Sequence, residues 1–312
     1  MENFLICFNA VTPIFLLMAL GYLAKRQGLL ARADVSKYNK VLFRFFFPVM
    51  MFYSIYSSKL NSAVRPKLLL YGVAAVLVVT FLAWLFARHA VRQRAKRGVV
   101  IQGIYRSNVA VIGIAVVASL MPGEDLGPVA VLAAVIVPLF NVLAVIILEY
   151  YGGEQIRLKK VLLDILKNPL ILGSATGILA LALGLKLPAM LETLTRQMHQ
   201  ATSPMLLFLL GAFFEFGGLR KSTRELVWIV IGRLVLVPAA ALGLAAALGF
   251  RGVEMAALLS VFASSTAATS FTMAQQMGGD AELAGNAVVA TSALCVFTMF
   301  FWSLLFKNLG LM

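Results

Sequence analysis

The chain has 312 residues, of which 61% are hydrophobic and only 13% are charged, whereas a soluble domain is about 45–50% apolar and about 25% charged. This composition excludes a disordered protein, a disulfide scaffold and a soluble multidomain enzyme. The net charge of +14 would suggest nucleic-acid binding in a soluble protein, but in so apolar a chain the basic residues are first tested as membrane-topology signals.

Ten apolar stretches predict membrane-spanning helices, each of which needs about 20 residues. The connections between them are short, so no soluble domain fits. The first stretch is no cleavable signal, because Glu2 precedes it and Lys25-Arg26 follow it. We number the stretches spans 1 to 10 and place them at residues 3–24, 41–57, 68–87, 99–121, 128–151, 169–187, 201–217, 225–248, 254–276 and 283–306.

The lysines and arginines are distributed unevenly between the two sets of alternate connections. One set holds 17 of the 27, the other holds 7, and Arg44, Arg106 and Arg233 fall at or within spans. Because the basic side faces the cytoplasm, both termini are predicted to be non-cytoplasmic, in a bacterial cytoplasmic (inner) membrane. The basic runs 88–97 and 157–160 are predicted to contact anionic lipid headgroups rather than nucleic acid.

A shift of 156 residues superimposes one half of the sequence on the other without gaps, which indicates an internal repeat. Five spans per half place the second half in the membrane from the opposite side. The halves, residues 1–156 and 157–312, are therefore predicted to be inverted repeats, which are typical of secondary transporters with a mid-membrane site. The matching positions are Pro13, Leu16, Gly21, Leu23, Ala24, Gly28 and Leu29 with Pro169, Leu172, Gly177, Leu179, Ala180, Gly184 and Leu185, then Pro48 and Phe52 with Pro204 and Phe208, and Gly123-Glu124 with Gly279-Asp280.

Span 4 carries the consecutive polar residues Arg106, Ser107 and Asn108, and Gly113 follows five residues after Asn108. Charged and amide side chains inside a span are costly unless they face a cavity or a partner, and an unwound segment here would expose backbone groups to a substrate. We predict a binding site at these residues. The alternative is that Arg106 snorkels to the interface and Asn108 only joins helices.

Span 9, the equivalent of span 4, carries six hydroxyl side chains within nine residues. They predict a second loosened helix that completes one central site, in which the shift pairs Asn108 with Ser264 and Gly113 with Thr269. The alternative is tight packing, in which hydroxyls bond their own backbone. The hydroxyl residues are Ser264, Ser265, Thr266, Thr269, Ser270 and Thr272.

Other polar residues within spans include Asn141 in span 5, a further candidate for the substrate site, and Arg233 in span 8. Arg233 would attract an anion or pair with an acid. Cys7 and Cys295 are expected to be small core residues. No phosphate-binding loop or zinc-protease motif is present, so we expect no enzymatic activity and no cofactor or metal.

The chain resembles the auxin efflux carrier family, the bacterial relatives of plant PIN proteins, within the bile acid and auxin transporter superfamily. The resemblance covers nearly the whole length. It is carried by Pro13 to Gly21-Tyr22 with Gly28-Leu29, Asn39 to Pro48, Arg106-Ser107-Asn108 with Gly113-Ile114, Asn141-Val142-Leu143 with Glu149, Asn168-Pro169, Pro204, Arg233 to Pro238, and Gln276 to Asp280.

The resemblance implies an all-α membrane fold of 5 + 5 inverted spans, in which spans 4 and 9 cross at a break. Spans 1, 2, 6 and 7 would form a scaffold and dimer surface, and spans 3–5 and 8–10 a transport domain that moves like an elevator. Asn108 would be the asparagine of the crossover and Arg106 the accompanying arginine. The chain departs from the family in having Ala115 after Gly113-Ile114, where proline is usual, and no proline between Met255 and Gln276.

The leading hypothesis is therefore a secondary carrier, a permease or efflux protein, for a small organic anion such as malonate, malate or an auxin-like acid. Arg106, Asn108 and helix amino ends would neutralise its carboxylate, with protons as a possible co-substrate. A non-transporting membrane receptor or sensor for a similar anion is the alternative. An intramembrane enzyme is disfavoured because the sequence lacks recognisable catalytic groups.

Overall fold

The computed structural model describes residues 2–57, 64–152, 167–215 and 222–312. Within these ranges helices are the only regular elements, apart from one isolated antiparallel bridge. The boundary between the predicted halves and the basic run 157–160 lie outside the described residues. The helices are α1 (Glu2–Arg26), α2 (Arg32–Val41), α3 (Phe47–Tyr56), α4 (Pro66–Ala90), α5 (Arg94–Tyr105), α6 (Ile114–Leu120), α7 (Gly127–Gly152), α8 (Pro169–Ala182), α9 (Ala189–Phe213), α10 (Thr223–Ile231), α11 (Val237–Ala247), α12 (Val253–Phe262), α13 (Thr269–Gln276) and α14 (Ala281–Asn308).

In the described part of the chain, three short π-helical segments continue or join these helices. Leu42–Phe46 joins α2 to α3, Val109–Gly113 leads into α6, and Gly232–Leu236 joins α10 to α11. Predicted span 2 therefore lies, except for its last residue, inside one helical stretch from Arg32 to Tyr56, and predicted span 8 lies, except for its last residue, inside one from Thr223 to Ala247.

Among the described residues, five helical stretches are long and apolar enough to cross a membrane, so the chain has the character of a multi-pass membrane protein. They coincide with predicted spans 1, 3, 5, 8 and 10. The described parts of the other five predicted spans are also helical, but two of these spans, 4 and 9, are interrupted. The five stretches are Leu5–Arg26, Pro66–Ala90, Gly127–Gly152, Thr223–Ala247 and Ala281–Asn308.

The interrupted helices lie at the centre of the molecule. Every residue of α12 from Met255 to Phe262 is buried, and so is every residue of α5 from Gly98 to Tyr105. A helical segment that is buried on every side has no solvent or lipid face, so these parts of α5 and α12 are enclosed by other helices.

Two glycines allow close helix pairs on one side of the molecule. A side chain at Gly21 of α1 would overlap the carbonyl of Phe208 in α9, and a Cβ at Gly177 of α8 would lie 2.9 Å from the carbonyl oxygen of Phe52 in α3. Shifting Gly21 by 156 gives Gly177, and shifting Phe52 by 156 gives Phe208. The two contacts thus join residue pairs that the predicted repeat treats as equivalent.

Spans 4 and 9 break without proline. Residues 106–108 follow α5 outside any helix, with Arg106 in an extended conformation, and residues 263–268 separate α12 from α13. The two breaks meet as an antiparallel bridge between Ser107 and Thr266. The Asn108 N–H donates to the Ser265 carbonyl at 2.7 Å, and the Ala267 N–H donates to the Arg106 carbonyl at 3.2 Å. These bonds replace part of the helical bonding that the breaks give up.

The bridge departs from the register of the predicted repeat. Its partners, Ser107 and Thr266, are 159 positions apart, three more than the shift that aligns Gly21 with Gly177. Thus the ungapped pairing of Asn108 with Ser264 does not describe the local pairing at the breaks.

Candidate functional site

A cavity of about 270 Å³ lies beside the two breaks. The helix that runs from Val109 to Leu120 begins at one edge, and α13 begins at another, since Ala110, Val111, Ala268 and Thr269 all line the cavity. The first N–H groups of a helix have no intrahelical acceptor and carry the positive end of its dipole. Two such ends therefore face this cavity.

Arg106 contributes the only permanent positive charge among the described lining residues, and no Asp or Glu is among them. Its side chain is buried, with the residue 3% exposed. One guanidinium nitrogen donates to the Asn141 side-chain carbonyl, and the other approaches the Met273 sulfur at 2.7 Å. Neither partner carries a charge, so the positive charge of Arg106 remains uncompensated by these contacts.

Asn141 orients the arginine from α7. Its side-chain amide donates to the Val137 carbonyl at 2.8 Å and approaches the Met51 sulfur at 2.7 Å. These contacts leave the amide oxygen directed at Arg106. This orientation of the Asn141 amide matters, because the reverse orientation would direct its N–H groups at the guanidinium.

Ser107 adds a hydroxyl to the same lining. Its Oγ is buried and has no hydrogen-bond partner within the described part of the chain. A buried hydroxyl without a partner costs free energy, so such groups are typically satisfied by a water or a ligand.

The other wall of the cavity comes from α3 and α9, and the sequence analysis did not assign it to the site. His199 Nδ1 lies 3.3 Å from the Met50 carbonyl oxygen, and the ring contacts Tyr53 with a centroid distance of 5.3 Å. The signal available in the sequence was the spacing of four residues between His199 and Ser203, which places both on one face of a helix. The lining residues from this wall are Met50, Met51, Ser54, His199, Gln200, Ser203, Leu206 and Leu207.

Of the ten predicted site residues, five line the cavity: Arg106, Ser107, Asn108, Asn141 and Thr269. The other five lie outside its lining, because each is used in packing or bonding at the crossover. They are Gly113, Ser264, Ser265, Thr266 and Ser270.

Their contacts explain this placement. A Cβ on Gly113 would lie 2.5 Å from the Ser260 carbonyl oxygen, so this glycine lets the segment after the first break approach α12. Thr266 donates its hydroxyl to the Gly103 carbonyl at 2.8 Å, and Ser264 donates to the Ser260 carbonyl at 2.9 Å. Ser265 accepts from Ser292 at 3.2 Å.

Ser270 contributes through its backbone, because its carbonyl accepts from the Gln102 amide at 3.1 Å. Its hydroxyl is buried without a partner among the described residues. Of the span 9 hydroxyls, Ser264 bonds the backbone of its own helix as in the packing alternative, whereas Thr266 bonds across the crossover to the backbone of α5.

Arg233 is fully buried, with 0% exposure, and its recorded hydrogen bonds are to backbone carbonyls rather than to an acid. It donates to Ile104 and Tyr105, at the carboxyl end of α5, at 3.2 and 3.1 Å. It also donates to Val261 and Ser264, at the end of α12, at 2.7 and 2.8 Å. The expected acid partner is therefore replaced by the unsatisfied carbonyls of two helix ends.

The crossover consequently separates charge. The negative carboxyl ends of α5 and α12 are neutralised by Arg233, and the positive amino ends of the two following helices remain directed at the cavity. Within the described ranges no group of three His, Cys, Asp or Glu side chains is placed to hold a metal ion. The described lining therefore presents positive charge to the cavity.

Comparison with known proteins matches residues 6–303 to a family model described as membrane transport protein. The chain belongs to this auxin efflux carrier-like family. The match spans nearly the whole length and includes both walls of the cavity, so the expected family resemblance is confirmed.

Individual relatives agree at this coarse level. A protein of Rhizobium meliloti named "Putative malonate transporter" is 28% identical over 301 residues, which cover 93% of this chain and 92% of the relative. An "Uncharacterized transporter" of Methanothermobacter thermautotrophicus is 23% identical over 308 residues, 95% and 97% of the two chains. Another, of Methanocaldococcus jannaschii, is 22% identical over 313 residues, 97% and 100%. The description of the family and the names of these three relatives all denote transporters.

Proposed function

We propose that the protein is a secondary transporter for a small organic anion, which binds in the cavity beside Arg106. The observation that carries the proposal is the convergence of the Arg106 guanidinium and two helix amino ends on one cavity, with no acid among its described lining residues. Charge-assisted bonds to a carboxylate are the strong contacts that such donors make.

The size of the cavity favours a short substrate. Its volume of about 270 Å³ falls just below the range of about 300–1,000 Å³ that is usual for drug-sized ligands. Malonate, malate and an auxin-like acid remain the candidate carboxylates, and the name of the Rhizobium meliloti relative supports the first.

The two walls suggest how the anion would cross. We propose that spans 1, 2, 6 and 7 form a scaffold and spans 3–5 and 8–10 a transport domain that moves past it like an elevator. The lining is consistent with this division, since Arg106, Asn141 and Thr269 come from the second set and Ser54 and His199 from α3 and α9. The paired contacts of Gly21 and Gly177 support the inverted 5 + 5 repeat with halves 1–156 and 157–312.

The surroundings of the protein follow from the same proposal. The chain would lie in the bacterial inner membrane with ten spans and both termini non-cytoplasmic, as a homodimer through its scaffold. Anionic lipids would contact its basic connections. On this topology the His199 end of the cavity is non-cytoplasmic.

Counterflow in proteoliposomes tests the function directly. Vesicles loaded with malonate, malate or indole-3-acetate should accumulate the same labelled acid in exchange, and Asn108→Ala should reduce this exchange about tenfold while thermal stability stays close to that of the wild type. Ser119→Ala is the matched control, because this exposed hydroxyl bonds only to the Ala115 carbonyl of its own helix. Binding without counterflow would favour the receptor alternative, and equal loss of exchange and stability in Asn108→Ala would make Asn108 a packing residue.

A further inference from the structure

We infer that His199 binds the second carboxylate of a short dicarboxylate and that one proton enters the site with that substrate. The inference rests on the proposed function and deepens it, because it assigns the substrate class and the co-transported ion. It starts from the presence of polar side chains on both walls of a cavity whose other lining is mainly apolar.

The first wall accounts for one carboxylate. Arg106, Ser107 and the amino end of α13 at Thr269 lie together there. The second wall places His199, Ser203 and Ser54 on α9 and α3. A monocarboxylate with an apolar tail would satisfy the first wall and press its tail against the second, whereas a short dicarboxylate presents oxygens to both.

The hydrogen bonding of His199 determines what its free nitrogen can accept or donate. The Met50 carbonyl, 3.3 Å from Nδ1, can only accept a hydrogen bond, so the ring proton of a neutral His199 is assigned to Nδ1. Nε2 then carries a lone pair, which repels a carboxylate oxygen. A bond between Nε2 and the substrate therefore requires a proton, carried either by the ring as imidazolium or by the substrate as its carboxylic acid.

The charge count leads to the same stoichiometry. A dicarboxylate brings two negative charges. Arg106 and the two helix amino ends act on the carboxylate at the first wall, and the described lining of the second wall contains no permanent positive charge to compensate the other carboxylate. A second, uncompensated charge in a largely apolar cavity is costly. One proton from bulk water, held between Nε2 and the second carboxylate, leaves the occupied site neutral. The proton is covalently bound either to Nε2 or to the carboxylate oxygen, and no other covalent bond forms.

Few other titratable groups surround His199. Tyr53 contacts its ring from α3, and Arg106 faces the same cavity from the crossover. On α9 itself Glu192 and Arg196 lie two turns and one turn before it, and both are exposed. Among the described lining residues of the cavity there is no Asp or Glu that would take the proton in place of His199.

The test compares malonate with propionate, a monocarboxylate of similar length, on the full chain. His199→Ala should weaken malonate binding about tenfold or more and leave propionate within about threefold. Titration calorimetry in buffers of different ionisation enthalpy should show about one proton taken up per malonate by the wild type and none by His199→Gln, whose side-chain amide donates without titrating.

His89→Gln is the matched control, because His89 is the one other histidine of the chain, also sits with Nδ1 against a backbone carbonyl, that of Leu85 at 2.8 Å, and does not line the cavity. Equal loss of malonate and propionate in His199→Ala, or proton uptake that survives in His199→Gln, would overturn the inference and leave anion transport standing. A folded wild type that binds neither acid would overturn both.

Discussion

The backbone N–H of Asn108 donates to the carbonyl of Ser265 at 2.7 Å, and this bond joins two interrupted helices at their breaks. Neither break contains a proline. The interruption is instead maintained by partners for the released backbone groups: this bridge, the Thr266 hydroxyl on the Gly103 carbonyl, and the Arg233 guanidinium. Buried backbone groups must be paired, so these contacts stabilise the two breaks. A proline would impose a break in another way, by removing a backbone N–H.

Arg106→Gln tests the proposed anion contact. Loss of a hydrogen bond to a charged group costs about 1.5–3 kcal/mol, so malonate affinity should fall about 10- to 150-fold, with Arg106→Lys intermediate because a point charge replaces a planar fork. Equilibrium binding to purified protein measures this. Arg44→Gln is the control, since this exposed cation lies against α8 and outside the cavity. Unchanged affinity in Arg106→Gln would contradict the proposed site.

Arg233→Met should reduce stability before it affects binding chemistry. The substitution keeps an unbranched side chain but leaves four buried carbonyls without a donor, and one unsatisfied buried group already costs about 1–3 kcal/mol. We expect a large fall in the apparent Tm in detergent at a fixed scan rate, with Arg233→Lys retaining part of the stability. A Tm equal to that of the wild type would show that water can replace the guanidinium.

Gly21→Ala should separate α1 from α9, because the added methyl group overlaps the Phe208 carbonyl. Backbone cannot retreat as a flexible side chain does, so we expect a destabilisation of about 1–3 kcal/mol. Gly177→Ala should have the same sign at the equivalent contact of the second half. Gly243→Ala in α11 is the control, since nothing lies within 4 Å of its Cβ position and alanine favours a helix by about 1 kcal/mol. A thermal-unfolding series that ranks Gly21→Ala with Gly243→Ala would argue against the close packing.

Asn39→Ala tests the predicted motion. Asn39 of α2 donates to Gln275 at 2.7 Å and accepts from Thr272 at 3.0 Å, which ties the proposed scaffold to α13. If α13 leaves α2 during transport, these bonds stabilise only the present arrangement. Their loss should accelerate malonate counterflow about two- to tenfold, because about 1.4 kcal/mol corresponds to tenfold in rate, while affinity changes little.

Thr80→Ala is the control for that experiment, since Thr80 bonds only to the Val76 carbonyl of its own helix, α4. A slower exchange in Asn39→Ala, together with weaker binding, would indicate that the contact supports the site rather than restrains the motion.

The sequence predicted the helical elements well because hydrophobic runs and their punctuation are local signals. The polar cluster at Arg106 and Asn108 also identified the break in span 4, since such side chains are costly in an apolar helix. The hydroxyl cluster of span 9 was only partly informative. A serine that faces a cavity and a serine that bonds the preceding turn have the same local sequence, so Thr269 and Ser264 were not distinguishable before their partners were known.

By itself, the sequence determined that this is an apolar membrane transport protein with polar groups confined to a few positions, and it predicted that Gly21 and Gly177 are equivalent positions of a repeat. Only the tertiary structure decided that Ser107 faces Thr266, that Arg233 binds helix ends rather than an acid, and that His199 faces the same cavity as Arg106. The physical reason is that a hydrogen bond depends on atoms within about 3 Å. Residues that are distant in the chain reach that separation only when two breaks and two walls assemble.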